Sequence, residues 1–490
     1  MENLNSVEQD QQGFETAYKA FTETYPSYIK TKILDQLRNT EYSRLDQLDQ
    51  VYLDYTGSSL YAHSQLQQHQ NLLENGVFGN PHSNNPTSLA MTNLVEQARN
   101  SVLEYFNASP NEYVVIFTPN ASGALKLVGE SYPFEQGGRF LLSYDNHNSV
   151  NGIREFARDK GAEVTYLRTL LPELRFDEDV LSFELENPKT NTCNLFAYAA
   201  QSNFTGVQHS LEWINKAHED GWDVLLDAAA YVPTNRLDLN HWKPDFVSIS
   251  FYKMFGYPTG VGCLLARKVG LHKLHRPWFA GGTISITSVQ GEGWHYLLPN
   301  EAGFEDGTIN FLNLPAIEIG LRHITDIGLN IIHERVHCLT GWLLNQMKAI
   351  HHKNGTPLVH IFGPTNNSQR GGTIAFSLDD PDGKRLDYRK VEALASQENI
   401  SLRTGCFCNP GTGEIVHHIR RDEMAEAFSH SEPMSFENFF EWTCREYNRD
   451  LSTIRISVGI AANFADVYRF IRFLRNFVNK NTGEIDLHPG

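Results

Sequence analysis

The chain is poor in cysteine, in net positive charge and in long apolar runs. Its six cysteines among 490 residues lack the regular pairing of a disulfide framework, so reduced thiols are expected. A formal net charge of −17 argues against nucleic-acid binding, which needs a basic face for the phosphates. The longest apolar stretches have the length of strands and are interrupted by Gly, Pro or charge, so no membrane span is expected.

The sequence also lacks a recognisable leader. Its start, MENLNSVEQDQQ, has neither the basic region nor the apolar region of a secretory signal, and we therefore expect a cytoplasmic protein. A length of 490 residues with 41% hydrophobic residues suits a soluble protein of two or three domains. A cytosolic enzyme or a small-molecule binding protein fits these limits.

Three parts are predicted along the chain. Residues 1–60 read as a helical arm followed by a first strand, residues 61–330 as a large domain, and residues 331–490 as a smaller α+β domain. Within the large domain, the apolar runs VVIFTP, FLLSYD, VTYL, LFAYAAQS, DVLLDAA and FVSIS alternate with helical patterns. Continuous apolar strands that alternate with helices predict an α/β fold with a mostly parallel sheet covered on both faces.

Polar residues follow the ends of these strands. Ligands of open α/β sheets bind beside the carboxyl ends of the strands, so these residues are expected to share one cleft. The set is Asn120, Ser122, His147, Asn203, Asp227, Ser250 and Lys253.

Lys253 lies in FVSISFYKMFGYPTGVGCLLAR, which predicts a strand, an active loop and a second strand. Loss of solvation would free its amine for Schiff-base chemistry, whereas a plain hairpin would let the side chain reach solvent. Asp227 precedes it by 26 residues (253 − 227). A carboxylate that keeps a pyridine nitrogen protonated, opposite a lysine that forms an imine, defines a pyridoxal phosphate site, although Asp227 alone also suits a turn or a helix cap.

Two further features suit such a cofactor. In TPNASGALKLV, Ala121 and Ser122 stand where a strand passes into a helix, which fits either a phosphate site or an ordinary helix cap. His147 follows the next strand and either stacks on a cofactor ring or is a solvated loop residue.

The loop RTGCFCNPG holds Cys406 and Cys408 beside Arg403. The thiols are either a nucleophilic or sulfur-carrying pair favoured by the arginine, ligands of a metal together with His417 and His418, or inert. Arg455, in the strand IRISVGI, needs an anion if it is buried, and this is either a substrate carboxylate or a structural Asp or Glu.

The motifs together resemble one family. VYLDYTGSSL, FGNPHS, FTPNASGALKLV, QSNFTGV, LLDAAAYVPT, SFYKMFGYPTGVGCLLAR, FEDGTINFL, RTGCFCNPG and IRISVGI occur in the order typical of the aminotransferase class V family, and most closely resemble its molybdenum cofactor sulfurase and cysteine desulfurase branch. The similarity runs from about residue 51 to about residue 473. It implies the fold type I of pyridoxal phosphate enzymes, with a mostly parallel seven-stranded sheet and a smaller C-terminal domain that carries the cysteine loop.

The resemblance assigns residues to pyridoxal 5'-phosphate. Lys253 would form the imine, Asp227 would pair with the pyridinium nitrogen, and His147 would stack on the ring and belong to the catalytic set. Thr283 would reach the phosphate of a neighbouring subunit, since family members form homodimers. The remaining contacts would be Asn203 to the phenolic oxygen and Ala121, Ser122, Ser250 and Tyr252 around the phosphate.

The resemblance also implies a reaction. L-cysteine would be the substrate, its carboxylate held by Arg455 with help from Arg403, and Cys408 would take the sulfur as a persulfide while alanine leaves. A sulfur-acceptor protein or cofactor would be the partner, and no metal is expected. The end at Gly490 leads us to expect no further β-barrel domain. The alternatives are another class V reaction (an aminotransferase, epimerase or β-lyase) or a pyridoxal phosphate-binding scaffold without turnover.

Overall fold

The computed structural model describes residues 2–81, 83–189, 192–291, 293–429 and 432–485, with side chains from residue 11 onward. Its strands are β1 (Val51–Tyr52), β2 (Tyr113–Thr118), β3 (Arg139–Ser143), β4 (Glu163–Leu167), β5 (Thr169–Leu170), β6 (Arg175–Phe176), β7 (Asn194–Ala199), β8 (Asp223–Asp227), β9 (Phe246–Ser250), β10 (Gly262–Arg267), β11 (Ile284–Thr287), β12 (His295–Leu297), β13 (Val359–Phe362), β14 (Thr373–Leu378), β15 (Ile400–Ser401), β16 (Arg403–Thr404) and β17 (Ile454–Ser457).

The helices are α1 (Glu2–Thr24), α2 (Ile33–Glu41), α3 (Arg44–Gln47), α4 (His63–Glu74), α5 (Pro86–Tyr105), α6 (Ala121–Ser131), α7 (Asn148–Asn151), α8 (Ile153–Asp159), α9 (Glu178–Leu185), α10 (Glu212–Glu219), α11 (Phe251–Phe255), α12 (Lys268–Leu271), α13 (Pro315–Ile327), α14 (Leu329–Ala349), α15 (Tyr388–Gln397), α16 (Pro410–Val416), α17 (Arg421–Ala427), α18 (Phe436–Tyr447) and α19 (Phe464–Arg475). None of the helices described is both long and apolar enough to cross a membrane.

A seven-stranded sheet organises the large part of the molecule. Its strand order is β2-β10-β9-β8-β7-β3-β4, and every strand runs in one direction except β10, which is antiparallel to both neighbours. The central strands β7, β8 and β9 are buried along their whole length. This is the pattern of a sheet covered on both faces, and the predicted α/β fold is confirmed.

Helices supply both covers of this sheet. On one face α6 and α8 pack side chains such as Leu125 and Ile153 into a cluster with β2 and β3. On the other face α5, α10 and α13 contribute Val95, Ile214 and Ile317 to the largest apolar cluster. The loops at the carboxyl ends of the strands stay uncovered by these helices and are free to carry chemistry.

The C-terminal part contains a four-stranded antiparallel sheet in the order β13-β14-β17-β16. The N-terminal arm packs here: β1 pairs in parallel with β15, and Arg38 binds Asp466 at 2.6 Å. Gly328, with φ of +90°, separates α13 from α14. The predicted domain limits at residues 60 and 330 stay predictions, and the break at Gly328 lies close to the second.

The segment after β9 differs from the predicted loop. Phe251–Phe255 forms a single helical turn, α11, which ends where the N–H of Gly256 donates to Tyr252 O at 3.0 Å. Buried backbone needs hydrogen-bond partners, and a helical turn supplies them locally where an open loop would not. The second predicted strand is present as β10.

Candidate active site

Lys253 sits in the middle of α11, directly after the buried strand β9. Its neighbours Met254 and Phe255 are buried, which fixes the turn against the core. Burial lowers the pKa of the Lys253 amine, while the nearby Asp227 carboxylate opposes this effect. A lowered pKa increases the fraction of neutral, nucleophilic amine at neutral pH.

Gly256 is needed where α11 turns back. Its φ is +79°, and a Cβ at this position would lie 2.3 Å from the backbone nitrogen of Tyr61. Only glycine combines this backbone conformation with such a close approach. The turn that carries Lys253 is therefore held directly against residues 60 and 61.

Asp227 ends strand β8 and is nearly buried. Its Oδ1 accepts hydrogen bonds from Ser248 Oγ at 3.0 Å and from the backbone N–H of Ala229 at 3.1 Å. Its Oδ2 has no hydrogen-bond partner among the described residues. Hydrogen bonds to Oδ1 thus fix the orientation of the carboxylate, and Oδ2 is available to accept a hydrogen bond from a ligand.

The N-terminus of α6 forms an anion site beside β9. Asn120 caps the helix by accepting from Gly123 N at 3.0 Å, and Ala121 N donates to Ser250 Oγ at 2.9 Å. Ser122 Oγ lies 2.6 Å from Ser149 Oγ. The positive end of the helix dipole favours a phosphate at this place, and the hydroxyl groups of Ser122, Ser149 and Ser250 add hydrogen-bonding capacity.

His147 has a defined tautomer. Its Nδ1 accepts from the backbone N–H of Ser149 at 3.1 Å, which places the ring proton on Nε2. Burial lowers the pKa of the imidazole, and the cations of Lys253 and Arg455 lower it further, although Asp227 acts in the opposite direction. The ring is therefore neutral at neutral pH.

These elements meet at one cavity of about 330 Å³. Eight of the twelve site residues predicted from the sequence line it, together with Ser149, Gln201, Thr259 and Gly260, which sequence reasoning missed. The eight are Ala121, Ser122, His147, Asn203, Asp227, Ser250, Tyr252 and Lys253.

The cysteine loop is tied to this cavity by hydrogen bonds. Asn203, which lines the cavity, donates from Nδ2 to Phe407 O at 2.8 Å, and the N–H of Asn148 donates to Cys408 O at 2.7 Å. The backbone is left-handed at Phe407 and Cys408, with φ of +51° and +55°. The loop therefore turns tightly over the site, and both Cys406 and Cys408 are exposed.

The charge of a Cys408 thiolate is near enough to affect three cations. It raises the pKa of Lys253, Arg403 and Arg455, although it is not the main influence on any of them. Cys408 thus lies close to three cationic side chains, Lys253, Arg403 and Arg455.

Asp54 links the two arginines predicted to bind substrate. Arg455 donates from Nη2 to Asp54 Oδ1 at 3.1 Å, and Arg403 donates from Nη2 to Asp54 Oδ2 at 2.6 Å. Arg455 is buried, donates from Nη1 to Asn203 O at 2.8 Å, and lies 4.7 Å from the centre of the Phe407 ring. Arg455 thus has the structural carboxylate considered from the sequence, and its buried Nε keeps one donor without a partner among the described residues.

A family model for aminotransferase class V matches residues 51–470. The chain belongs to the aminotransferase class V family. Molybdenum cofactor sulfurases of tomato (Solanum lycopersicum) and human are 34% and 35% identical to it, covering 96% and 90% of this chain. The same alignments cover 60% and 51% of those relatives, so the chain spans little more than half of their length. The resemblance found in the motifs is confirmed.

Solved structures of cysteine desulfurases share the fold. The apo enzyme of Thermococcus onnurineus NA1 superposes with a TM-score of 0.72 at 22% identity, over 91% of this chain and 98% of its own. The enzyme CsdA of Escherichia coli gives 0.70 at 19% identity, over 90% and 98%. These likenesses confirm the predicted fold type.

The chemistry of the cavity fits the pyridoxal phosphate on which class V enzymes depend. The free carboxylate oxygen of Asp227 suits the cofactor's ring nitrogen. The Lys253 amine, whose pKa is lowered, suits its aldehyde, and the helix N-terminus at Ala121 suits its phosphate. Asn203 Nδ2 already donates to Phe407 O and has one hydrogen left for the cofactor's phenolic oxygen.

Four predicted site residues do not line the cavity, namely Cys408, Arg403, Arg455 and Thr283. Thr283 bonds within its own segment, where its hydroxyl donates to Ala280 O at 2.8 Å. A contact with a neighbouring subunit is compatible with this position and stays a prediction.

A metal at the cysteine loop finds no support in the structure. Among the residues described, no group of three or more His, Cys, Asp and Glu side chains is arranged to hold an ion. His417 Nε2 instead lies 2.8 Å from Thr453 Oγ1, within hydrogen-bonding distance.

Two functional carboxylates escaped the sequence analysis. Asp54 stands in the quoted motif VYLDYTGSSL, and Asp145 in FLLSYDNHNS. Asp145 is buried and accepts from Ser202 Oγ at 2.7 Å and from Asn409 Nδ2 at 2.8 Å. Burial alone would raise its pKa, but these bonds and that from His209 lower it instead. A carboxylate directly after a strand was the signal available for both.

Proposed function

We propose that this protein is a pyridoxal phosphate-dependent cysteine desulfurase, which takes sulfur from L-cysteine onto Cys408 as a persulfide and releases alanine. One observation supports this choice within the family: the thiol-bearing loop is hydrogen-bonded to the cavity itself, through Asn203 to Phe407 O and Asn148 to Cys408 O. A reaction without a nucleophilic thiol, such as transamination, does not need this connection.

Pyridoxal phosphate, when bound, supplies the electron sink that makes the Cα proton of the amino acid acidic. The residues that would hold it are Lys253, Asp227, His147 and Asn203, with the N-terminus of α6 and the hydroxyl groups of Ser122 and Ser250 at the phosphate. Tyr252 lines the same cavity.

Four side chains then act on the substrate. Arg455, held by Asp54, would bind its carboxylate through the guanidinium group. The neutral amine of Lys253 takes the proton from Cα, and Asp227 would pair with the ring nitrogen. The Cys408 thiolate attacks the substrate sulfur, and the bond from that sulfur to Cβ breaks with its electron pair staying on the three-carbon fragment. That fragment takes up protons at Cβ and Cα and leaves as alanine, while the sulfur stays on Cys408 as a persulfide.

The test compares the two exposed cysteines. Cys408→Ser should abolish alanine production from cysteine yet keep the yellow absorbance of the bound cofactor, whereas Cys406→Ser should keep both. Lys253→Ala should lose the imine absorbance. Undiminished alanine formation by Cys408→Ser would contradict the proposal, and so would wild-type protein that stays colourless after reconstitution with pyridoxal phosphate.

We also propose a homodimer in the cytoplasm, with a sulfur-accepting protein or cofactor as partner. The hairpin β11–β12 supports the dimer, because it exposes large apolar side chains that a monomer would leave in water. They include Ile286, Val289, Trp294 and Tyr296, and Trp278 and Phe279 lie just before the hairpin.

A further inference from the structure

A second cavity, of about 540 Å³, lies beside the cysteine loop. Gly405 and Cys406 form part of its wall, and it shares no lining residue with the cofactor cavity. The helices α16, α17 and α18 and the segments that connect them supply much of the remaining wall. Its size falls within the range of roughly 300–1,000 Å³ that is usual for small-molecule sites.

The lining of this cavity is apolar and rich in rings. Among the described residues that form it there is no Lys or Arg, whereas Glu414 and Glu432 are present. Burial raises the pKa of the Glu414 carboxyl. Negative or neutral walls disfavour an anion, and aromatic and thioether side chains favour a flat ring. The apolar contributors include Phe204, Ile419, Met424, Phe436, Phe439 and Leu451.

His417 gives this wall an unused hydrogen-bond acceptor. Thr453 Oγ1 donates to Leu451 O at 3.2 Å and therefore accepts the proton of His417 Nε2. Nδ1 is then unprotonated, and it has no partner among the described residues. Burial, with help from nearby cations, lowers the pKa of His417 to about 3. A ligand that brings an N–H or O–H group would satisfy this nitrogen.

Gly413 leaves open space on the helix α16. A Cβ built on it meets no atom within 4 Å, and the residue lines the cavity. Glycine inside a helix is less favourable than alanine. A larger side chain introduced at this position would therefore fill part of the cavity without displacing a neighbouring residue.

We propose that this cavity binds a neutral, ring-bearing small molecule that donates a hydrogen bond to His417, and that its occupation covers the thiol of Cys406. This site is additional to the amino-acid site and holds whether or not the protein is a desulfurase.

Indole and 1-methylindole test the proposal, because they match in shape and only indole has an N–H donor. Titrations of each into the full chain, followed by ligand-observed NMR, should show indole binding about three- to tenfold more tightly. Gly413→Phe should remove binding of both probes, whereas the matched Gly413→Ala should keep it. His417→Phe should make the affinities for indole and 1-methylindole equal. His418→Phe, at an exposed neighbouring residue, should keep the tighter binding of indole.

Alkylation of Cys406 gives a second readout that does not depend on activity. Indole should slow the reaction of iodoacetamide with Cys406 and leave that of Cys408 unchanged, as measured by mass spectrometry of the peptides. If Gly413→Phe fails to fold, the comparison of His417→Phe with His418→Phe and the alkylation rates of Cys406 still test the proposal. Equal affinity for the two probes in the wild type, or an unchanged rate at Cys406 in saturating indole, would overturn the proposal.

Discussion

At the scale of single residues, Asp54 holds Arg455, the arginine proposed to bind the substrate. Its two oxygens are divided between Arg455 and Arg403, so two cations share one carboxylate. A buried arginine without this partner would be both destabilising and free to rotate. The orientation of the Arg455 side chain thus depends on Asp54.

Asp54→Asn tests this role. An amide has one acceptor oxygen and no charge, so we expect kcat/KM for cysteine to fall about 10- to 100-fold, mainly through KM, in line with the loss of a charge-assisted hydrogen bond worth about 1.5–3 kcal/mol. Steady-state alanine formation measures the change. Asp49→Asn, which removes an exposed pair with Arg469, is the control and should have little effect. An unchanged KM in Asp54→Asn would show that Arg455 needs no such support.

His417 makes stability depend on pH. Its pKa of about 3 in the folded protein lies below its usual value of 6.5, so between these limits the unfolded chain binds a proton that the folded chain does not. The contribution of His417 to stability is therefore complete above pH 6.5 and is lost as pH falls toward 3.

His417→Phe should remove this dependence. Relative to wild type, the free energy of unfolding of the variant should improve as pH falls from 6.5 to 4, by about 3 kcal/mol in total. Denaturant titrations at several pH values measure the difference, and His418→Phe is the matched control. If the difference in free energy of unfolding between His417→Phe and wild type stayed the same at every pH, the expected titration of His417 would be contradicted.

At the scale of elements, the single turn α11 holds Lys253 because its end is fixed. Gly256 closes the turn with a left-handed backbone against residues 60 and 61. Both the backbone conformation and the contact exclude a side chain. The position of the lysine thus depends on a residue that has no side chain of its own.

Gly256→Ala and Gly137→Ala separate the two effects. Gly137 has φ of +84° but an open position for a Cβ, so its replacement should cost only about 1 kcal/mol of backbone strain. Gly256→Ala adds a backbone clash and should lower the thermal midpoint much further and weaken cofactor retention. Equal midpoints for the two variants would show that the clash at Tyr61 is relieved without cost.

The elements show what the sequence could reveal. Apolar runs ending in polar residues predicted both β8 with Asp227 and β9 with Lys253, because burial on two faces leaves a clear pattern. The helical form of α11 was missed, since five residues are too few for a periodic signal. Asp54 and Asp145 were missed because their partners, Arg455 and Asn409, lie hundreds of residues away, and pairings of this kind arise only from the tertiary fold.

At the scale of the whole molecule, the hairpin β11–β12 is the surface that a dimer would cover. Val289 is fully exposed and Trp294 is 68% exposed, and Thr283 lies just before the hairpin. The predicted contact of Thr283 with a second subunit's phosphate needs this surface at an interface.

Trp294→Asp tests the dimer. A charge in a buried apolar interface is costly, so light scattering after size-exclusion chromatography should show a monomer, with weaker retention of pyridoxal phosphate. Leu48→Asp, at a residue 65% exposed outside the hairpin, should leave the assembly unchanged. A wild-type protein that is monomeric at micromolar concentration would refute the proposed interface.

The most direct test of the account is the location of the transferred sulfur. Wild-type protein loaded with pyridoxal phosphate is treated with L-cysteine, trapped with an alkylating reagent and analysed by peptide mass spectrometry. The account predicts one additional sulfur atom on Cys408, and no such adduct anywhere in Lys253→Ala. Alanine formation without a persulfide on Cys408, or turnover of cysteine to other products, would contradict it.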